Sequence, residues 1–309
     1  MPNALILGIS GFCARHLVPR LRDIPGISIL GAGRRGAPPP VAGIDRYWPT
    51  DARDPDQVRR LVKEARPDWV FNLAGTSVGS APDLFAANLN VALNVLEAVR
   101  VDAPHARTLL VGSAAEYGAA SPSEMPLTED QPCRPRGPFG ISKHAMTLAG
   151  LDYARTHDLH VVVARPFNVI GAGIPPTLLL GALVQRLKEA KASGSGVLRA
   201  GPLEDRRDFV AVEDVVDGFV RLVEGNGSGQ VVNLCTGRSR PCRELVDLLL
   251  AASGMRVRVE IDPGLRRPQE LRDSTGSPAR AMSGFGFRPR ISIEESVRRT
   301  WADAIAEES

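Results

Sequence analysis

Phe139 and Lys143 stand four residues apart in Pro138-Phe139-Gly140-Ile141-Ser142-Lys143, and residues at that spacing share one face of a helix. Pro138 falls in the first helical turn, where proline is best tolerated, and Ile141, Met146, Leu148 and Leu151 carry the apolar pattern onward. One face therefore presents an aromatic ring and a cation, either a core residue beside its solvated neighbour or two groups of one site. Ser113 follows the apolar run Thr108-Leu109-Leu110-Val111-Gly112, at the carboxyl end of a predicted strand, where open parallel sheets hold their ligands. A serine there donates a hydrogen bond to a reacting group or serves as an ordinary turn residue. Glu116, Tyr117 and His144 are the other nearby groups able to carry a proton.

Anion-binding chemistry is written at the N-terminus. The apolar run Ala4 to Leu7 leads into Gly8-Ile9-Ser10-Gly11-Phe12-Cys13-Ala14, after which Leu17, Val18 and Leu21 take up helical spacing. Small residues let a phosphate approach the backbone, and a helix N-terminus offers it free N–H groups. The same spacing also describes a plain strand-to-helix turn. The next strand, Ile27 to Gly31, runs on to Gly33-Arg34-Arg35, where dinucleotide-binding folds commonly place a carboxylate for the adenosine ribose. Arg34 and Arg35 instead offer guanidinium forks that match a 2′-phosphate. That favours NADP(H) over NAD(H); the alternative is a pair of loop charges. Thr50-Asp51-Ala52 is placed to close over an adenine, and the strand Asp68 to Leu73 stops at Ala74-Gly75, which leave room for a cofactor.

These residues need a scaffold. Helical patterns at 55–65 (Val58, Leu61, Val62), from Pro82 to about Val99, and from Phe139 to about Thr156 alternate with apolar runs, the last at 161–164. Such alternation predicts a parallel sheet wound on both sides. Asn88 falls on or beside the stripe of Leu84, Val91, Val95 and Val99, and a buried amide must be hydrogen-bonded. It bonds a neighbouring backbone, acts as a relay or water-holding group behind the site, or does both. Ser121 to Gly137 has no periodicity and is expected to be a mobile flap. Beyond Arg165 the pattern changes, with helices at 177–191, 213–223, 243–252 and 293–305 and strands at 231–234 and 257–261. A chain of 309 residues exceeds one compact core, so a lobe or an interleaved second domain is expected.

Composition bounds the partners. Lys plus Arg is 38 against 35 for Asp plus Glu, a net charge of +3 spread without runs, so nothing favours nucleic acid. The four cysteines, Cys13, Cys133, Cys235 and Cys242, show neither CxxC nor Cys/His spacing, so no disulfide and no metal are expected. Met1 runs straight into the first strand without a signal peptide, and no apolar run reaches the roughly 18 residues that span a bilayer. A soluble, cytoplasmic protein with no membrane partner is expected.

In order along nearly the whole chain, these landmarks resemble the extended short-chain dehydrogenase/reductase family that acts on nucleotide-diphosphate sugars, the NAD-dependent epimerase/dehydratase group. Gly8, Gly11 and Ala14 match its glycine motif, Ser113 its catalytic Ser or Thr, and Phe139 with Lys143 its Tyr-x-x-x-Lys. Arg165 to Asn168 match Arg-Pro-x-Asn, Arg207 to Phe209 match Arg-Asp-Phe, and Arg267-Pro268 a late Arg-Pro. The resemblance implies an α/β fold: a Rossmann-type doubly wound parallel sheet (1–166 and 208–236) with a smaller, discontinuous sugar-nucleotide lobe (167–207 and 237–309). It implies cofactor contacts from Gly8, Ser10, Gly11, Phe12, Cys13, Arg34, Arg35, Asp51, Ala52, Leu73, Ala74, Gly75, Lys143 and Pro166. Ser113, Asn168, Arg207 and Arg267 would contact the substrate. Lys143 would bond the nicotinamide ribose and acidify a neighbouring phenol. The two long helices before and after Ser113 look like those that pair in this family into a four-helix bundle, with Leu93, Leu96, Met146 and Leu148 as apolar surface for a homodimer.

The phenol is missing, since position 139 is Phe, which can neither give nor take a proton. Three readings follow: a Tyr-to-Phe change that traps ligand, chemistry using Glu116, Tyr117 or His144 instead, or a non-catalytic protein that binds cofactor or sugar nucleotide. The family's 4,6-dehydratases carry an acid two positions before the residue matching Tyr117; here Ala115 stands there, which disfavours dehydration. The resemblance is greatest to NADPH-dependent 4-keto-6-deoxyhexose reductases, with nucleotide-sugar epimerases next.

Overall fold

Alternation within the first strand sets the architecture. In β1 (Asn3–Leu7), Ala4 and Ile6 pack into one buried cluster and Leu5 and Leu7 into another, so both faces of the sheet are covered. The computed structural model describes residues 2–37, 41–118, 120–265 and 273–306. After β1 come α1 (Phe12–Arg22), β2 (Ser28–Gly33), β3 (Arg46–Pro49), α2 (Pro55–Ala65), β4 (Trp69–Asn72) and α3 (Ala81–Phe85). A π-helical turn (Ala86–Asn90) joins α3 to α4 (Val91–Asp102), followed by β5 (Arg107–Val111), α5 (Gly137–His157) and β6 (Val161–Pro166). The chain continues through β7 (Asn168–Ile170), α6 (Leu179–Ser193), β8 (Val197–Ala200), β9 (Arg206–Ala211), α7 (Val212–Glu224) and β10 (Gln230–Leu234). It ends with β11 (Ser239–Pro241), α8 (Cys242–Ser253), β12 (Arg258–Ile261), α9 (Ala279–Phe285) and α10 (Ile293–Ala306).

Seven strands form one parallel sheet in the order β10-β6-β5-β4-β1-β2-β3. The order reverses between β1 and β4, the switch point at which such sheets bind ligands. Leu17, Val18 and Leu21 of α1 pack with Val215, Phe219 and Val223 of α7 on one face. Val58 and Val62 of α2, Val95 and Val99 of α4 and Met146 of α5 cover the other. Helix ends follow local chemistry: Asp54 caps α2 by accepting from Asp56 N and Gln57 N, Pro55 begins it, and Arg66 closes it at φ 45°.

A third cluster, with Leu183, Leu187, Leu245, Leu249, Val297 and Trp301, joins α6, α8 and α10. It rests on a small sheet, β11-β9-β7, and the parallel pair β12-β8. Asp208 of β9 is the tie here. Its carboxylate accepts from Thr236 N, Thr236 Oγ1, Gly237 N and Gly276 N, and burial pushes its pKa up against those bonds.

The structure corrects several expectations. The helix predicted from Pro82 to Val99 is interrupted by the π turn that carries Asn88. No continuous apolar run is long, yet the helix 81–102, read through that turn, has the length and composition to cross a bilayer. Its Leu84, Val91, Val95 and Val99 are instead buried in this core. Leu96 and Met146, expected at the surface, are buried too, because α4 packs on both α2 and α5 and α5 packs on β6. Within and beside Ser121 to Gly137, Gly118 bridges Arg134, Leu127 bridges Gly276, and Arg134 pairs with Glu124 at 2.9 Å.

Candidate active site

Lys143 is buried on α5 and reaches the carboxyl end of β5, where its ammonium donates to Val111 O at 2.9 Å. Asn88 approaches from the π turn, accepting from Thr76 N (3.0 Å) and donating to Thr76 O (3.0 Å) and Ser142 Oγ (3.0 Å). The backbone bond expected of this amide is therefore present, and it fixes the loop after β4 against α5. Both side chains crowd Gly75: a Cβ there would lie 2.7 Å from Asn88 Oδ1 and 3.3 Å from Lys143 Nζ. Only glycine fits. Burial lowers the Lys143 pKa to about 8, although Glu116 and Cys13 lie close enough to favour the charge.

Phe139 lies half-buried one turn before Lys143, and its carbonyl accepts from Ser142 Oγ at 2.9 Å. Ser113, half-buried after β5, is held twice. Its main-chain N donates to Glu116 Oε1 at 2.9 Å, and its Oγ accepts from Ala115 N at 3.2 Å, leaving the hydroxyl hydrogen free to donate elsewhere. Glu116, fully buried, takes Arg165 Nη2 on its other oxygen at 2.7 Å. Burial raises its pKa, but His144 and Arg165 outweigh that and hold the carboxyl below its ordinary value. Arg165 lies over the Tyr117 ring at 4.6 Å, and the Tyr117 hydroxyl donates to Asn233 Oδ1 at 2.8 Å. Burial pushes that phenol up to about 12. Glu116 and Tyr117 are thus committed to an interior network and cannot replace a phenol at position 139. His144 Nδ1 faces the same network, 3.6 Å from Glu116 Oε2. Glu116, Cys133 and His144 bring ligand-type atoms within 4.8 Å of one another, but the Arg165 guanidinium already pairs with Glu116 and acts on Cys133, a positive charge that disfavours a dication there.

The residues expected to hold a dinucleotide lie across the switch point. Gly8 turns at φ +79°, and a Cβ there would lie 2.8 Å from Ala74 N, so only glycine lets the β1 and β4 loops meet. α1 begins at Gly11 with no side-chain cap and no acidic residue in its first turn, so its first N–H groups suit a phosphate. Ser10 and Gly11 are exposed at this edge, Phe12 stacks edge-on with His16 at 5.6 Å, and burial pushes the Cys13 thiol up to about 12. Arg34 and Arg35 are exposed just after β2. Arg53, with help from Arg34, holds Asp51 down to about 2, and Ala52 O accepts from Asn94 Nδ2 at 3.0 Å. Leu73, Ala74 and Gly75 follow β4, and Pro166 ends β6 buried against Leu234 of β10. This donor set fits a dinucleotide with an extra phosphate on its ribose.

Farther out, Asn168 Nδ2 donates to Asp208 O at 3.2 Å, and Arg207, largely buried, bonds Arg206 O at 2.8 Å and lies 3.9 Å from Asp205. Arg267 lies outside the described residues.

A model of the NAD dependent epimerase/dehydratase family matches residues 4–235. The chain belongs to this family. It is 30% identical over 306 residues to GDP-6-deoxy-D-mannose reductase of Pseudomonas aeruginosa, covering 96% of this chain and 95% of that one. It is 31% identical over 301 residues to dTDP-6-deoxy-L-talose 4-dehydrogenase (NAD(P)(+)) of Kitasatospora kifunensis, covering 96% and 93%. Among solved structures, it matches RMD from Pseudomonas aeruginosa complexed with NADPH at TM-score 0.84 and 28% identity, covering 99% and 100%. These named family members act on nucleotide-diphosphate sugars.

The Lys143 environment yields a direct test. A lysine whose folded pKa lies below its unfolded value weakens the fold wherever it is protonated, so its cost is largest below about pH 8 and fades as pH rises toward the unfolded value. Lys143→Met is expected to raise the stability of the ligand-free protein at pH 7 by on the order of 1–3 kcal/mol, net of the lost Val111 bond. Thermal melts at pH 7 and pH 10 check this; a variant less stable at pH 7 refutes it.

Proposed function

We propose that this protein reduces the carbonyl of a nucleotide-diphosphate 4-keto-6-deoxyhexose using NADPH. The observation that carries the reading is the convergence of Lys143 and the Ser113 turn at the carboxyl end of β5, beside a cradle with Arg34 and Arg35 and no carboxylate at the end of β2. A bound nicotinamide cofactor supplies the hydride. Ser113 donates to the carbonyl oxygen, Lys143 holds the nicotinamide ribose, and the first turn of α1 with Arg34 and Arg35 takes the phosphates. Asn168, Arg207 and, from the sequence alone, Arg267 take the sugar nucleotide, so 167–207 and 237–309 form the lobe that selects it. The lobe 1–166 with 208–236 holds the cofactor. Ala115, where a dehydratase needs an acid, leaves reduction as the fitting outcome.

We assign the dimer to a pairing of α4 and α5 across a two-fold axis. Ile141 and Leu148 on α5 and Val101 on α4 are exposed at 43%, 54% and 44%, and apolar groups left to water favour association. Light scattering is expected to give twice the chain mass at micromolar concentration, and Leu148→Glu to shift it toward the monomer; a monomer mass for the parent counts against the pairing.

Charge-assisted bonds from Arg34 and Arg35 to a 2′-phosphate are expected to favour NADPH over NADH by about 1–3 kcal/mol. Calorimetric titration of both cofactors tests this. The double change Arg34→Ala with Arg35→Ala should level the two, and equal constants for the parent would refute the preference.

Phe139 leaves the device without its proton donor. Positioned proton transfer is worth about 10²–10⁴-fold, so Phe139→Tyr is expected to raise NADPH consumption by that order with GDP-, UDP- or dTDP-linked 4-keto-6-deoxy sugars. Turnover of the parent at ordinary enzyme rates with no gain in the Tyr variant would mean that another group supplies the proton. Isomerised sugar without net NADPH consumption would mark an epimerase, and tight binding without turnover in either form would mark a binding protein.

A further inference from the structure

Glu116 sits between the two parts of the site that must be aligned. One carboxylate oxygen accepts the Ser113 main-chain N–H at 2.9 Å, while the other accepts Arg165 Nη2 at 2.7 Å and lies 3.6 Å from Nδ1 of His144, the residue after Lys143 on α5. Cys133 of the flap completes the ring of groups around it. Within this short 3₁₀ turn, residues three apart eclipse, so Ser113-Ala114-Ala115-Glu116 closes on itself as a capping box and the serine enters it from an extended backbone.

Stability does not account for this arrangement. A buried ion pair contributes little beyond an apolar isostere, and here Arg165, 2% exposed, also leaves Nε and Nη1 without an acceptor among the described residues. Both groups lie at carboxyl ends of strands, Glu116 at the turn after β5 and Arg165 on β6.

We infer that Glu116, held by Arg165, is a positioning residue that fixes the Ser113 main chain and so aims the Ser113 hydroxyl at the reacting carbonyl. This rests on the reductase reading above. Fixing a donor before reaction matters because a displacement of about 1 Å can cost about 10²-fold in rate.

Two uncharged replacements separate positioning from charge. In the Phe139→Tyr background, Glu116→Met with Arg165→Met removes both charges and the acceptor for the Ser113 N–H. Glu116→Gln with Arg165→Met removes the same charges but keeps an amide oxygen for that N–H. The first pair is expected to lower kcat about 10- to 100-fold with KM changed less than about threefold, and the second to recover about tenfold of that loss. Equal kcat for the two pairs overturns the inference. Should the Phe139→Tyr parent show no turnover, the reductase reading fails while the positioning role is read from amide hydrogen exchange of the peptide containing Ser113. In the parent, Ser113 must be protected, and exchange must quicken in the Met pair more than in the Gln pair; an unprotected Ser113 amide in the parent, or equal exchange in both pairs, overturns it.

Discussion

A parallel sheet covered on both faces leaves main-chain polar groups free at the ends of its strands and along its two edges, and the candidate site is assembled from the ends. β1 delivers Gly8 and the start of α1, β4 delivers Gly75, β5 delivers Val111 O and Ser113, and β6 delivers Arg165. The helices then fix the gaps between them: α5 brings Lys143 to β5, and the π turn brings Asn88 to the loop after β4. A π turn takes one residue more than an α turn, and in it the buried Asn88 amide satisfies both main-chain polar groups of Thr76.

What the sequence made legible follows from how local each signal is. The limits of α2 were readable because Asp54-Pro55 is a start signal that needs no tertiary partner. Both apolar faces of the sheet were readable from strands as uniformly buried as β6. The short strands β3, β7, β8 and β11 were not, because three or four residues carry too short a pattern to show a period, and β7, β8 and β11 are defined by partner strands distant in sequence. The same holds for Leu96 and Met146: one stripe per helix is the local expectation, while a helix packed on two neighbours buries more.

The site divides along the same line. Ser113, Lys143 and the glycine turn were legible by type and spacing, and the fold brings Ser113 and Lys143 to one strand end. Glu116 and Tyr117 were legible as proton carriers but not by direction, which decided their use. A cue existed in Ser113-x-x-Glu116, since a capping box predicts that the glutamate folds back on the serine backbone rather than toward a ligand. Arg165 lay inside a recognised motif, yet its burial beneath Ser113 depends on β6 lying beside β5, a fact of topology.

The charges of the site explain why a phenylalanine at position 139 need not disturb the rest. Two cations, Lys143 and Arg165, are buried around one anion, Glu116, and Arg165 and the Ser113 N–H already occupy that anion. Lys143 bonds the Val111 carbonyl, and the pull of Glu116 and Cys13 does not offset its burial, so its pKa falls. A phenylalanine at 139 neither adds to nor relieves that deficit, so Ser113, Asn88 and the lysine stay where the fold sets them. A ligand that set oxygens or negative charge beside Lys143 would relieve the cost of its burial.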